Sequence, residues 1–369
     1  MQLKPKTIKT AYQQNLPAAA LVGVLALTGC HSIGPRTVTV DRSEYSASIA
    51  DSWKQQTLLN IVKLRYLDLP VFMDVSSVVA GYSLQTGISA GGSFPANGSQ
   101  GGNTAIFGGS ALYTDRPTIT YTPMTGQKFL HNLITPIQPK NIFFMLRSGY
   151  AADYFLALTL DSLNGLHNRS ADAGFTRQAD PAFIRALQLL REVQVAGALH
   201  VRALDNKDAS DTTVLYFSGD DLPPEITSDI AEIQRLLKLA EGQAQFKLVY
   251  SSSRGGPGEL GVGSRSMLQI MAAMASYIDV PAADLKDGTA LLVPESPENA
   301  IGGDPVRIKC SPEKPAHAYA MVHYRDQWFW VDDHDSRTKR ALTSMMFLFT
   351  MMSDNNGDEK LPVVTIPAQ

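Results

Sequence analysis

Three features of the amino-acid sequence predict an α+β fold of antiparallel strands and packed helices with one long projecting β-hairpin. Apolar residues recur at helical spacing in some segments and alternate with polar ones in others, without a repeat of fixed period. Residues 75–114 carry no Asp, Glu, Lys or Arg, although 18% of the 369 residues are charged. Hydrophobic residues make up 44%, enough for a core, and with 28 Gly, 21 Pro and 2 Cys they exclude a disordered, collagen-like or disulfide-scaffold chain.

Residues 1–29 read as an export leader. Lys4, Lys6 and Lys9 form a basic start without acids, and the apolar stretch from Leu16 to Leu27 is shorter than the roughly 18 residues of a membrane span. Leu27-Thr28-Gly29-Cys30 resembles the lipobox of bacterial lipoprotein precursors, a branched residue and two small ones before a cysteine. The resemblance implies cleavage before Cys30, diacylation of its thiol and acylation of its amine. Several acyl chains hold a protein stably on a membrane where one does not. The alternative is an ordinary leader with a chance cysteine. His31 stands where lipoproteins of the inner membrane often carry Asp, which favours the outer membrane with the body in the periplasm. Loss of the leader moves the net charge from −3 to about −6, and no basic excess recommends a nucleic-acid partner. With Cys30 lipidated, Cys310 has no intrachain partner and reads as a buried thiol.

In chain order, 30–42 reads as a lipidated tether, and Ile49, Trp53, Leu58, Ile61, Val62, Arg65 and Tyr66 mark a helix over 43–69 that Pro70 ends. Alternation from 71 to 122 marks a strand-rich arm. Three short helices follow at 126–133, 141–147 and 151–166, completing a helical region over 43–170 that carries the arm. The remaining 171–369 form an α+β body. Asp180-Pro181 starts a helix over 180–196 with Phe183, Leu187, Leu190 and Val193 on one face. Strands are expected at 199–204, 213–218 and 245–251, and a helix at 228–240. Ser264 is expected to cap a helix with Met267, Ile270, Met271, Met274 and Ile278 on one face. Strands at 306–310, 316–324 and 327–332 follow, the last two turned at Arg325-Asp326, and then a helix at 337–352 and a strand at 362–367.

In the first half of the charge-free stretch, apolar residues sit at even numbers: Val78, Ala80, Tyr82, Leu84, Ile88 and Ala90. In the second half they sit at odd numbers: Ala105, Phe107, Ala111 and Tyr113. A hairpin pairs residues whose numbers have a constant sum, so one common apolar face requires that sum to be odd. A two-residue turn at Asn97-Gly98 makes it 195 and pairs Tyr82 with Tyr113, Leu84 with Ala111, Ile88 with Phe107 and Ala90 with Ala105. Gly91-Gly92 and Gly101-Gly102 are alternative bends. The nine residues 105–113 reach the low end of the ~9–11 of a tilted membrane strand, with Tyr82 and Tyr113 at the level of an aromatic girdle. Open edges are not tolerated in lipid, so insertion demands a ring of copies donating hairpins. This arrangement resembles that of the curli secretion channel, an oligomeric lipoprotein, with no shared sequence motif. The alternative is a soluble arm that packs on its own body or clasps a neighbour; Ile106 and Leu112 on the polar face and Pro117 at the base speak for it.

Signals for chemistry are weaker. A strand, the glycine loop from Ser252 to Gly263 and a helix start at Ser264-Arg265-Ser266 have the order of an anion site, with Ser264, Arg265 and Ser266 as its residues. A phosphate loop would need a lysine that is absent here, and a mobile surface loop is the ordinary reading. Asp332-Asp333-His334-Asp335 could hold a metal or share acid–base work, but Asp335 or Ser336 also suits a helix cap. His317 and His323 lie too far apart along a strand to share an ion. The methionines 345, 346, 351 and 352, and Trp328 with Trp330, read as core. No nucleophile elbow, zinc-binding helix or paired-cysteine motif occurs.

The expectation is a non-enzymatic outer-membrane lipoprotein in envelope assembly or transport, without cofactor or metal. It meets the membrane through Cys30, and the hairpin makes homo-oligomers through Tyr82, Leu84, Ile88, Phe107, Ala111 and Tyr113. Other envelope proteins are further partners. The alternative is a soluble periplasmic enzyme or ligand-binding domain using loop 252–266 or cluster 332–335.

Overall fold

The computed structural model describes residues 34–79, 81–93, 104–172, 175–204, 212–218, 222–240, 242–292 and 306–354. Contacts divide them into two units. One takes in the residues up to Ala50 with Val79–Thr118, the other Asp51–Val78 with Ile119 onward. The expected border at 170/171 falls inside the second unit, because a strand before it belongs to the same sheet as strands after it (below).

Helix α1 spans Gly34–Arg65, so the segment expected as a tether is helical from Gly34 on. Pro35 does not prevent this, since the first turn has no partner for an amide there. In the second unit Leu58, Ile61, Val62 and Tyr66 are buried at i, i+3, i+4 and i+8, while Ile49 is exposed. The helix ends where Leu67 turns to φ 60° and the Asp68 amide bonds back to the Lys63 carbonyl.

Strands β1 (Phe72–Val79) and β4 (Thr118–Met124) form one two-stranded sheet, and β2 (Tyr82–Ser93) and β3 (Thr104–Asp115) another. Two α1 side chains close the free edge at the start of β1. The Asn60 amide donates to the Val71 carbonyl (2.8 Å) and accepts from the Val71 amide (2.9 Å), and Gln56 does the same for Met73, donating at 3.0 Å. Residues one helical turn apart thus bind alternate residues of an extended chain, as a neighbouring strand would.

Helices α2 (Gln127–Ile134), α3 (Pro139–Arg147) and α4 (Ala152–Thr159) follow. The third stops seven residues before its expected end at 166. The chain continues as β5 (Leu160–Leu163), turns at Asn164-Gly165, both at positive φ, and returns as β6 (Leu166–His167). An apolar run this short fits a buried strand as well as a helix, and Asn-Gly is the residue pair of a two-residue hairpin turn. Strands β7 (Ser170–Asp172) and β8 (Phe175–Arg177) pair with each other. Helix α5 (Pro181–Val195) starts as expected after Asp180 and buries Phe183, Leu187, Leu190 and Val193.

The central sheet has the order β6-β5-β12-β11-β10-β9, with β9 (Leu199–Leu204), β10 (Thr212–Phe217), β11 (Gln245–Tyr250) and β12 (Glu259–Ser264). Neighbours are antiparallel except β11 and β12, and β12 pairs β5 across the expected domain border. Helix α6 (Pro224–Leu236) starts four residues earlier than expected, with proline at its first position. Helices α7 (Met267–Ala275) and the unexpected α8 (Ala282–Lys286) lead to a three-stranded sheet, β13-β15-β14. Its strands are β13 (Lys309–Ser311), β14 (Ala318–Tyr324) and β15 (Gln327–Asp332), the last two joined at Arg325-Asp326, both at positive φ as a tight hairpin turn requires. The core face of β15 is Phe329 and Val331. Trp328 and Trp330, expected in the core, lie half-buried on the other face. Helix α9 (Ser336–Asp354) follows; the expected strand at 362–367 lies outside the described residues. The α+β class is thus as the sequence predicts.

Candidate functional site

β2 and β3 pair antiparallel over their whole length, from Tyr82 opposite Asp115 to Ser93 opposite Thr104. The pair numbers add up to 197 rather than 195. The sum is odd, so the two apolar sets do share a face, but the partners are displaced by two: Leu84 lies opposite Tyr113, Ile88 opposite Gly109, Ala90 opposite Phe107, and Ala111 opposite Thr86. Tyr82 and Tyr113 are diagonal neighbours whose rings stack, centroids 6.2 Å apart and planes 19° from parallel. Diagonal positions are within reach of aromatic side chains. Asn97-Gly98 and Gly101-Gly102 lie outside the described residues; Gly91-Gly92 continues β2 rather than bending it.

The other face is built from serine over glycine. Ser110 lies opposite Gly87 and Ser89 opposite Gly108. Each hydroxyl donates to the carbonyl of the glycine facing it, Ser89 to Gly108 at 3.3 Å and Ser110 to Gly87 at 3.5 Å. A Cβ on Gly87 or Gly108 would come within 2.9 and 2.8 Å of those hydroxyls. Ile106 and Leu112 interrupt this face and are 67% and 60% exposed.

At the base the Arg116 amide donates to the Gly81 carbonyl at 2.9 Å. This bond belongs to the same register, which makes 81/116 and every second pair after it a hydrogen-bonded pair. Even-numbered residues of β2 and odd-numbered residues of β3 therefore turn their backbone N–H and C=O groups outward. Among the described residues no third strand pairs with this ribbon.

The anion-site residues are all buried; Arg265 and Ser266 are bonded within the fold, while the Ser264 hydroxyl has no hydrogen-bond partner among the described residues. Ser264 is the last residue of β12, and Ser266, not Ser264, caps α7 through a reciprocal pair with Gln269. The Arg265 guanidinium donates to the carbonyls of Ala157 and Leu158, in the last turn of α4, and of Arg169. A cation at a helix C-terminus is favourable. The glycine loop is shorter than expected, because Gly261 and Gly263 belong to β12. The returning loop passes over them: a Cβ on Gly261 would run into the Ser253 carbonyl oxygen, and one on Gly263 into the Ser162 hydroxyl of the neighbouring strand, with the Ser252 Cα at 3.2 Å. Close approach of the chain itself, not of a phosphate, requires glycine here. The loop is pinned by Asn164, whose side-chain oxygen accepts from the Gly255 and Gly261 amides while its amide donates to Leu237.

In the acidic cluster, Lys309 at 2.7 Å, with His334, holds the Asp332 carboxyl well below the usual carboxylate range. Asp333 pairs with Lys339 at 2.7 Å, and Asp335 caps α9 by accepting from the Arg337 and Thr338 amides. Among the described residues no three His, Cys, Asp or Glu side chains converge on a metal position. Burial, with Asp279 and Asp284, pushes the Cys310 thiol up to about 11. Met345 is buried in the core, and Met351 packs against it.

Sequence reasoning missed a knot of polar and aromatic residues. Tyr66 donates to Asp284 at 2.7 Å, Tyr324 donates to Asp68, and the Arg325 guanidinium lies 4.8 Å from the centre of the Tyr66 ring. Burial and the Asp284 carboxylate push the Tyr66 hydroxyl up. The knot ties the end of α1 to α8 and to the β14–β15 turn; no local signal connects residues so distant in sequence.

Cys30 lies outside the described residues, and among those described no helix is long and apolar enough to cross a membrane. No protein-family model, curated protein or solved structure matches the chain.

Proposed function

We propose that the chain is a non-enzymatic outer-membrane lipoprotein, anchored through acyl groups on Cys30, whose β2–β3 ribbon brings copies together and enters the membrane in envelope assembly or transport. The observation that carries this reading is the ribbon itself: twelve residues on each strand, one apolar face, no charge from Val75 to Thr114, and no third strand among the described residues. An isolated two-stranded ribbon is marginal in water, and unpaired strand edges attract other strands. Twelve residues at ~3.3 Å, tilted about 40°, rise about 30 Å, enough for the ~25 Å apolar band of an outer-membrane barrel. Asp115 and Arg116 then stand at its watery end. The lipobox-like Leu27-Thr28-Gly29-Cys30 supplies the anchor.

The test uses the full-length protein extracted from membranes in detergent. A high-mass species is expected that reverts to monomer when 82–115 is replaced by an Asn-Gly turn between β1 and β4, with the helical and β signal of the body retained. Cys30→Ala is expected to abolish incorporation of labelled palmitate and release the protein from membranes. A monomer from the unaltered chain would overturn the assembly reading.

A further inference from the structure

Building on the ribbon as the assembling element, we infer that copies join head to tail, the outer edge of β3 in one copy pairing with the outer edge of β2 in the next. The outward backbone groups set the pairing. In β2 they belong to even-numbered residues, among them Leu84, Thr86, Ile88 and Ala90, and in β3 to odd-numbered ones, among them Phe107, Gly109 and Ala111. These are also the positions of the apolar face. A β3 edge laid against the β2 edge of another copy therefore sets odd against even. The intermolecular sum is odd, like the one within a copy, and the apolar face continues from copy to copy without a break. A slip by one residue would turn inward-facing amides to the junction and is excluded by hydrogen bonding.

The same edge chemistry would permit β2 against β2 or β3 against β3 about a twofold axis. Each such contact uses two edges of one kind and leaves the other kind open, so closure would need a second, different contact. One head-to-tail contact satisfies both edges of every copy and closes into a ring when the rotation permits. It also keeps every strand antiparallel to its neighbours and gives all copies one polarity along the strands, as chains anchored to one membrane surface need when the strands cross it. The absence of charge over 75–114 removes any like-charge repulsion between β3 of one copy and β2 of the next.

The experiment oxidises two differently tagged full-length copies, both carrying Cys310→Ser, in native membranes to form direct disulfide cross-links, which adjacent strands ~4.8 Å apart reach and strands two apart, ~10 Å, do not. One copy carries Ser89→Cys and the other Ser110→Cys; both serines are exposed. Cross-linking between tags is expected in the mixture and not within either variant alone. Cross-linking of the Ser110→Cys variant with itself would overturn the head-to-tail arrangement. A second arm places proline where the N–H faces outward, Ile88→Pro or Gly109→Pro, positions at which an edge strand tolerates it. Both are expected to convert the oligomer to monomer, while a Thr86→Cys/Ala111→Cys double variant still forms the disulfide within its own ribbon when combined with either proline. An oligomer that survives both prolines overturns edge pairing but not assembly. A monomeric unaltered chain overturns both.

Discussion

At the scale of single residues, Asn164 carries an unusual share of the fold. It stands at φ 47° in the β5–β6 turn, is nearly buried, and satisfies two amides and one carbonyl from three other segments. Asn164→Ala is expected to cost about 3 kcal/mol in urea unfolding, since it strands buried amides and places a Cβ residue without a local hydrogen bond in the left-handed region. Asn164→Gly is expected to recover about 1 kcal/mol of that loss, the backbone part. Arg265→Ala removes a donor from three carbonyls, of which Ala157 keeps the Asn168 amide, and is expected to cost about 2–4 kcal/mol in the same measurement. For Cys310 the folded state favours the protonated thiol. Its contribution to stability is complete below the ordinary value of 9.0 and is lost as pH rises through about 11. At pH 8 native Cys310 is therefore expected to react with a maleimide at least ~10-fold more slowly than in urea. That Asp335 or Ser336 caps a helix was legible from their place before an apolar-periodic segment, and the structure selects Asp335. That Arg265 caps another was not, because its partners lie about a hundred residues away.

Among elements, α1 and β1 show how side chains can substitute for a strand. Gln56→Ala with Asn60→Ala removes four hydrogen bonds at the edge of β1; hydrogen exchange at Val71 and Met73 is expected to accelerate by ~10–100-fold, matching about 1–3 kcal/mol of local stability. The register of β2 and β3 shows how far alternation reaches. Because side chains repeat every two residues, a sum of 195 and one of 197 place the same residues on the same face. Alternation determines that the sum is odd; the observed 197 is the one in which the Arg116 amide bonds to the Gly81 carbonyl and the two tyrosines stack diagonally. Asn-Gly closes a turn at Asn164-Gly165 between directly paired leucines, although a helix was expected to run through it. The loop after β11 misleads for a related reason: glycine marks close backbone approach whether the approaching group is a ligand or the chain itself, and only the path of residues 251–258 distinguishes the two.

For the whole molecule, the distribution of charge is the main functional signal. All the charges lie outside 75–114, and β2 with β3 collects 82–93 and 104–114 of that uncharged stretch into one two-stranded sheet. A charge introduced there should act on assembly alone. Ala111→Lys is expected to reduce the detergent-stable high-mass species at least ~10-fold, while the thermal midpoint of the body moves by less than about 1 °C, since exposed substitutions away from the core rarely exceed 0.5 kcal/mol. A change in the body midpoint of several degrees would place the ribbon in the stability of the body instead.

By itself, the sequence determined the α+β class, most of its helices and strands and the odd register sum of β2 and β3, and it narrowed the cap of α9 to Asp335 or Ser336. All of these rest on periodicity or on signals within a few residues. Tertiary structure decided what depends on groups far apart in the chain. It set the odd number of the β2–β3 register, placed Gly261 and Gly263 of the expected surface loop in a central strand with the chain lying over it, and joined 160–163 to a sheet from 199–264. The physical reason is the same throughout: a local pattern specifies which face a residue presents, while the partner that meets that face is chosen by packing.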